Sequence, residues 1–271
     1  MKDVKEITKE LEQGVKDTFA SEAYKDYLRF MAGFTHYSAN NCWLIWKQMP
    51  DATLVAGYKA WQEKGRQVRK GETGLTILAP NPKKFKKRRE DEDGNVTEEE
   101  VQVMTFRAIS VFDVSQTDGE EIPEHPCKML DGSVEGYEDL LAKLVQASPV
   151  PVAFEDIQTG ANGFFAGAEG RIVVKAGMGQ AQTIKTLVHE IAHAILHGKD
   201  GEEAQADRST KEVQAESVAF TVCCALGLDT GDYSFGYVAG WSTGKEAKEL
   251  AASMEVIRKT ANVILEGLGA A

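Results

Sequence analysis

The second half of the chain contains the most informative motif of this sequence, His189-Glu190-Ile191-Ala192-His193. The apolar residues around it recur at three- and four-residue spacing, which predicts an amphipathic helix over 180–197. Residues four apart lie on one face of a helix, so His189 and His193 point their imidazoles in the same direction, with Glu190 beside them. Zn²⁺ is bound by two imidazoles and a carboxylate with a fourth position open for water, so the stretch predicts a zinc site.

The third ligand is expected on a second helix, predicted over 210–227. Glu212 follows His193 after the intervening residues 194–211, and Glu216 lies one helical turn further on the same face. This gap resembles a spacing common among gluzincin aminopeptidases. We therefore predict Glu212 as the third ligand and Glu216 as the hydrogen-bond partner of the outer nitrogen of a ligand histidine. The reverse assignment of the two glutamates stays open.

These residues predict metal-assisted hydrolysis of a peptide bond. A bound zinc ion lowers the pKa of its water, and Glu190 is placed to take that proton and deliver it to the leaving amine. Tyr237 either points its hydroxyl at the developing oxyanion or packs as a buried aromatic. The predicted strand 170–174 is either an edge strand that binds an extended peptide or a core strand. His197 is expected to be a helix C-terminal histidine favoured by the helix dipole.

Composition and charge limit the class of protein. The chain has 271 residues, 42% of them hydrophobic, and 31 Lys and Arg against 42 Asp and Glu give a net charge of −11, which argues against a general nucleic-acid binder. The sequence contains neither an apolar run of about 18 residues nor an N-terminal apolar signal core, so we expect a soluble, cytoplasmic protein without a membrane partner. The four cysteines form no C-x-x-C pair and are expected to be reduced thiols.

The pattern along the chain predicts an α+β protein of two domains. Helical periodicity covers 3–31, and Ser38 is expected to cap a second helix. Residues 67–78 are predicted to form a strand, a glycine-rich turn and a strand, and 101–115 a long strand. A proline- and acid-rich linker at 116–128 divides a mixed helix and antiparallel-sheet domain, 1–125, from a zincin-like metallopeptidase domain, 126–271.

The first half carries basic residues interleaved with aromatic ones. Eleven Lys and Arg and only two acids occupy 54–89, and acids then follow, so that 83–100 is a segment of two opposite charge blocks around a turn signal at Gly94-Asn95. It is either a solvated hairpin or loop whose charges neutralise each other, or a basic surface for a polyanion.

Basic residues interleaved with aromatic ones are typical of proteins that bind single-stranded nucleic acid, because the charges follow the phosphates and the rings stack on the bases. The expected contacts are Trp43, Lys59, Trp61, Arg66, Arg69 and Lys70. Tryptophans on helices are more often core residues, and that alternative stays open.

Several stretches of the first half resemble a known family. Ser38-Ala39-Asn40-Asn41, Gly57–Trp61 and Gly65–Gly74, followed by Phe112-Asp113-Val114-Ser115-Gln116-Thr117, are similar to the N-terminal domain of ArdC-type antirestriction proteins. This resemblance implies a domain that binds single-stranded DNA without much sequence preference, and it adds Asn41 to the expected contacts. The charged segment 83–100 departs from the better-known ArdC pattern.

The second half carries a matching resemblance. Thr186–His193 together with Glu212-Val213-Gln214-Ala215-Glu216 is similar to the ArdC metallopeptidase domain and to the ImmA/IrrE peptidases. In the latter the glutamate that matches Glu212 is the expected third ligand. The two resemblances imply a protein of mobile genetic elements, such as conjugative plasmids, that shields incoming DNA from restriction. The alternatives are a regulatory ImmA-like peptidase that cleaves a repressor, and a single-stranded DNA-coating protein without turnover.

Overall fold

The computed structural model describes residues 3–90, 96–121, 136–228 and 235–269. The first half begins with three helices: α1 (Val4–Phe19), α2 (Ala23–Ala32) and α3 (Ala39–Gln48). The single helix expected over 3–31 is therefore two helices, separated after Ala20, which caps α1 through its backbone N–H. The cap of α3 is confirmed, because the Ser38 hydroxyl accepts a hydrogen bond from the backbone N–H of Asn41 at 3.3 Å.

A glycine in the middle of α1 allows α3 to pack against it. A Cβ added at Gly14 would lie 2.0 Å from Cζ2 of Trp43, closer than any non-bonded carbon pair tolerates. The indole N–H of Trp43 donates to the Thr18 hydroxyl, one turn further along α1, at 3.0 Å. Glycine in a helix interior usually costs about 1 kcal/mol relative to alanine. At position 14 the close approach of the Trp43 ring explains why the residue is glycine.

The sheet elements of the first half are β1 (Val55–Ala56), α4 (Tyr58–Glu63), β2 (Arg66–Val68), β3 (Leu75–Glu90), β4 (Val96–Asp113) and β5 (Thr117–Gly119). β3 and β4 pair antiparallel along their length, with Leu75 opposite Val111, and β1 pairs with the other edge of β4. The two strands expected around a turn in 67–78 do not pair with each other. β2 pairs with β5, and β3 pairs with β4. Residues 116–119, which were expected to begin a linker, thus belong to the first half.

The charged segment 83–100 extends the β3–β4 ribbon. Its described residues continue the two strands in register, while the turn expected at 94–95 lies outside the described residues. Lys84 Nζ lies 3.4 Å from Glu100 Oε1 across the ribbon. Both side chains are mainly exposed, and such surface pairs contribute little to stability.

The second half consists of α5 (Tyr137–Ala147), β6 (Val152–Glu155), β7 (Gly163–Ala166), β8 (Arg171–Lys175), α6 (Gln180–His197), α7 (Arg208–Ala225), α8 (Gly236–Ser242) and α9 (Ala247–Gly267). The sheet order is β6-β8-β7, so β8 is the central strand, with Ile172, Val173 and Val174 fully buried. The edge-strand alternative for 170–174 is therefore wrong, and β7 is an edge strand of this sheet.

The two halves share one hydrophobic core. α2 packs against α7, and α1 and α3 pack against α9. Polar contacts cross the same boundary, since Glu255 Oε2 on α9 accepts the backbone N–H of Ala39 at 2.7 Å. The expected division after residue 125 falls in a part of the chain outside the described residues. The architecture is the expected α+β, and within the described ranges no helix is long and apolar enough to cross a membrane.

Candidate functional site

α6 and α7 bring three candidate metal ligands together. The Nε2 atoms of His189 and His193 lie 3.0 Å apart. Glu212 Oε2, on α7, lies 3.8 Å from the first and 3.9 Å from the second. Two imidazole nitrogens and one carboxylate oxygen that converge in this way fit a divalent metal ion.

The outer nitrogen of His189 faces the second glutamate of α7. Glu216 Oε2 lies 3.1 Å from His189 Nδ1, and its other oxygen lies 3.5 Å from Lys185 Nζ. Glu212 therefore faces the inner nitrogens and Glu216 an outer one, which is the geometry of a ligand and of its supporting carboxylate. The four residues occupy the positions that the sequence pattern predicts for them, and their roles remain a prediction.

The pKa values of the two histidines are shifted in opposite directions. Burial alone would lower the pKa of His189, but the carboxylates of Glu216, Glu190 and Glu212 outweigh it and raise that pKa. Burial, together with the neighbouring imidazoles and Lys211, lowers the pKa of His193 to about 3. His193 is therefore neutral at physiological pH and keeps a lone pair for a metal.

Glu190 lies beside the ligands on the side of the edge strand. It is only 6% exposed, and burial raises its pKa, against the opposing effects of His189 and of the backbone hydrogen bond from Phe165 on β7. A Cβ at Gly163 would lie 2.7 Å from Thr186 Cγ2 and 3.3 Å from Glu190 Cγ. Glycine at this position thus allows β7 to lie directly over α6 and to hold the carboxylate of Glu190.

Tyr237, on α8, faces the same site. The residue is 47% exposed, yet burial raises the pKa of its hydroxyl, and the negative charges of Glu216 and Glu212 raise it further. Tyr237 is therefore close enough to the two glutamates for their charges to act on its hydroxyl. A neutral phenol in this position is a hydrogen-bond donor at physiological pH.

Several residues expected at a nucleic acid have structural roles instead. Trp43 and Trp61 are 2% and 0% exposed, and the Trp61 indole N–H donates to the Phe112 carbonyl at 2.9 Å, so neither ring is available to stack on a base. The Asn41 amide pairs with both backbone groups of Leu78, at 2.9 and 3.0 Å. The Arg66 guanidinium donates to the hydroxyl and carbonyl of Thr117, which ties β2 to β5. For these residues the expected contact role does not fit their placement.

The remaining expected residues lie at or near an open cleft of about 750 Å³ beside α4 and β2. Lys59, Arg69 and Lys70 are exposed, and Arg69 pairs with Glu72 at 2.8 Å and with Asp118 at 3.4 Å. Tyr58 is 45% exposed, and its ring meets Phe112 edge-on at the wall of the cleft. Tyr58, between Gly57 and Lys59, belongs to the basic and aromatic pattern of the sequence. The cleft is lined by Tyr58, Gln67, Val68, Arg69, Lys70, Glu72, Phe112 and Asp118.

Two family models match this chain, one for each half. Residues 3–112 match the N-terminal domain of the anti-restriction factor ArdC, and residues 145–263 match an IrrE N-terminal-like domain. The chain therefore combines an ArdC N-terminal domain with an IrrE N-terminal-like domain. The ArdC N-terminal domain contains α1 to α4 and most of the cleft, and the IrrE-like domain contains the three candidate ligands, Glu190 and Tyr237.

Solved structures of similar fold agree with this composition. The metal-free antirestriction protein ArdC of the R388 plasmid aligns with a TM-score of 0.57 and 22% identity, over 86% of this chain and 84% of that one. The Mn(II)-bound form of the same protein aligns with a TM-score of 0.54 and 19% identity, over 86% and 85% of the two chains. These ArdC structures show a shared fold.

A sequence relative extends further than this ArdC-like chain. An uncharacterized protein of Bacillus anthracis is 27% identical over 96% of the chain. The alignment covers 51% of that protein, so the chain spans about half the length of this curated relative.

Proposed function

We propose that this chain is an antirestriction protein that binds single-stranded DNA in the cleft beside α4 and β2 and carries a zinc-dependent peptidase site on α6 and α7. The observation that carries the peptidase half is the convergence of His189, His193 and Glu212 beside the buried carboxylate of Glu190. Zinc is favoured over manganese by its preference for imidazole ligands. The proposed place of action is the cytoplasm.

His189, His193 and Glu212 would hold the metal ion, which when bound supplies a water of lowered pKa and polarises a peptide carbonyl. Glu190 accepts the proton of the attacking water on a carboxylate oxygen and passes it to the nitrogen of the leaving amine. The backbone N–H of Phe165 keeps that carboxylate in place. The Tyr237 hydroxyl donates a hydrogen bond to the oxygen on which negative charge develops.

The open edge of β7 is the proposed binding surface for the peptide. Among the described residues β7 pairs with β8 alone, and it lies directly over Glu190, so an extended peptide can add to its other edge through backbone hydrogen bonds. Phe164 on β7 is 42% exposed and offers an apolar contact beside this edge.

The DNA-binding proposal rests on the exposed groups in the cleft and beside it. Lys59, Arg69 and Lys70 supply positive charge for phosphates, and the exposed ring of Tyr58 supplies a stacking surface. Because Arg69 already pairs with Glu72, a phosphate has to compete with that carboxylate. This competition lowers the contribution of Arg69 to phosphate binding, and the release of counterions by the phosphates makes the binding sensitive to salt.

The peptidase half is tested with Glu190→Gln in the full chain, with Glu202→Gln as the matched control, because Glu202 is an exposed glutamate of the α6–α7 connection. We expect a bound zinc ion in both variants, and cleavage of a denatured protein substrate only in the wild type and the control. Cleavage by Glu190→Gln that equals the wild type would contradict the proposed base.

The same variant separates the two proposed activities. DNA binding is measured with a fluorescent oligonucleotide at two salt concentrations, and protection from restriction is measured in cells. If protection survives in Glu190→Gln, DNA coating alone accounts for the antirestriction activity. If protection is lost while DNA binding persists, peptide cleavage is required for it.

A further inference from the structure

The outer nitrogen of His193 is contacted by a second histidine rather than by a carboxylate. His197 lies one turn further along α6, and its Nδ1 is 2.9 Å from His193 Nδ1. The other ring nitrogen of His197 lies 3.0 Å from Oε1 of Gln214 on α7. Gln214 is 1% exposed and lies between the two glutamates of the site along the same helix.

His193, His197 and Gln214 form a series of hydrogen bonds, and the proton positions in this series follow from Gln214 at its end. An amide oxygen only accepts hydrogen bonds, so His197 must carry its proton on Nε2 and donate it to Gln214. A neutral His197 then has a lone pair on Nδ1, which accepts a hydrogen bond from Nδ1–H of His193. His193 is left with its lone pair on Nε2, the nitrogen that faces His189 and Glu212.

We infer that His197 and Gln214 are positioning residues that hold His193 in the tautomer able to bind a metal through Nε2. This inference rests on the proposed metal site and assigns these two residues a role within it. The opposite tautomer would carry a proton on Nε2 and could not bind a metal through that atom. An outer partner that fixes ring orientation and tautomer commonly changes metal affinity by about 10- to 100-fold when it is removed.

The two ligand histidines are therefore supported in different ways. His189 faces the carboxylate of Glu216, whereas His193 faces a neutral imidazole that is itself held by a neutral amide. The dipole interpretation of His197 from the sequence alone did not include this partner. Because Gln214 is on α7, the hydrogen bonds from His193 through His197 to Gln214 also connect the two helices that supply the ligands.

The direct test is the protonation pattern of the metal-free full chain. Long-range ¹H–¹⁵N spectra of ¹⁵N-histidine-labelled protein distinguish the two neutral tautomers of each ring. We expect His193 to be protonated on Nδ1 and His197 on Nε2. In Gln214→Leu we expect His197 to populate both neutral tautomers. A proton on Nε2 of His193 in the wild-type protein would overturn the inference.

The second test compares two variants of His197 in a zinc titration against a chromophoric chelator. Asparagine places its Oδ1 where His197 has Nδ1 and keeps an acceptor for His193, whereas leucine has a similar size and no acceptor. We expect His197→Leu to weaken zinc binding about 10- to 100-fold and His197→Asn to stay close to the wild type. Equal losses in both variants, with unchanged circular dichroism, would contradict the positioning role.

The two tests distinguish a failure of this inference from a failure of the proposed metal site. If the wild-type chain binds no zinc, the proposed peptidase site fails, while the tautomers of the metal-free protein still report on the hydrogen-bond chain. If the wild type binds zinc and both variants of His197 bind it equally well, the metal site stands and the positioning role fails.

Discussion

The hydroxyl of Tyr24 on α2 lies 2.7 Å from the hydroxyl of Ser217 on α7, and both residues are almost completely buried. Ser217 directly follows Glu216 in the sequence, so a helix of the first half contacts the helix that carries both carboxylates of the candidate metal site. Ser217 donates its own proton to the Val213 carbonyl at 2.6 Å. Tyr24 is therefore the donor in the contact between the two hydroxyls.

Removing either hydroxyl is expected to destabilise the whole chain, and not equally. Ser217→Ala leaves the buried Tyr24 donor without a partner and should cost about 1–3 kcal/mol in the free energy of unfolding, whereas Tyr24→Phe removes that donor and should cost less. The double variant should cost less than the sum of the two single ones. Urea unfolding of the four proteins provides this cycle, and additive costs would show that the two hydroxyls do not interact.

Gly14 is expected to be intolerant of the smallest side chain. Gly14→Ala places a methyl group against the Trp43 ring and should destabilise the protein by about 1–3 kcal/mol, as other overpacked sites do. Gly240→Ala is the matched control, because a Cβ there meets nothing within 4 Å and alanine should gain about 0.5–1 kcal/mol. Thermal unfolding of the two variants checks both signs, and a stabilised Gly14→Ala protein would contradict the close packing of α1 and α3.

Two aromatic residues of α4 are expected to give opposite results. Trp61→Ala should cost about 3–5 kcal/mol of stability because the ring is fully buried. Tyr58→Ala should leave stability nearly unchanged and weaken oligonucleotide binding by about 1–3 kcal/mol, the usual contribution of one stacked base. Fluorescence anisotropy well below the unfolding temperature measures the second effect. Unchanged DNA affinity in Tyr58→Ala would remove the cleft from the proposed interface.

The two glutamates of α7 are expected to differ in their effect on metal binding. Glu216→Gln keeps all three ligands and should weaken zinc binding about 10- to 100-fold through His189. Glu212→Gln removes a charged ligand and should weaken it more. Isothermal titration with Zn²⁺, with Glu202→Gln as control, measures both losses. A larger loss in Glu216→Gln would favour the reverse assignment of the two residues.

The stability of the chain is expected to fall at alkaline pH. Burial raises the pKa of Tyr27 well above its ordinary value, since its hydroxyl is enclosed and donates to the Ala39 carbonyl at 3.0 Å. Above about pH 10 the unfolded chain loses this proton while the folded chain keeps it, so stability decreases by about 1.4 kcal/mol per pH unit for each such tyrosine. Tyr27→Phe should reduce this slope in urea unfolding measured between pH 9 and 11. An unchanged slope would show that Tyr27 ionises equally in both states.

The sequence predicted the elements whose signals are local. The bounds of α6 match the observed helix because its apolar periodicity is uninterrupted from Gln180 to His197, and Ser38 caps α3 as expected. Helical phase alone places His189 and His193 on one face of α6, whereas Glu212 reaches them because α7 packs against α6.

Predictions that depended on distant parts of the chain were less successful. The pairing of β2 with β5 follows from residues about 50 positions apart, which no local pattern encodes. Trp43 was expected at DNA because it lies near the basic stretch of the sequence, yet Gly14 on another helix provides the space that buries it. Likewise, the partner of His197 is on α7, so its role could not be inferred from α6 alone.

The core that joins the two halves has a consequence for how such chains can be recombined. Glu255 on α9 holds the start of α3, and Tyr24 on α2 lies against α7, so each half completes the interior of the other. A chimaera that takes its first half from one relative and its second from another inherits mismatched surfaces at these contacts. Exchange between relatives is therefore expected to preserve both halves together, or to require compensating substitutions at Tyr24, Ser217 and Glu255.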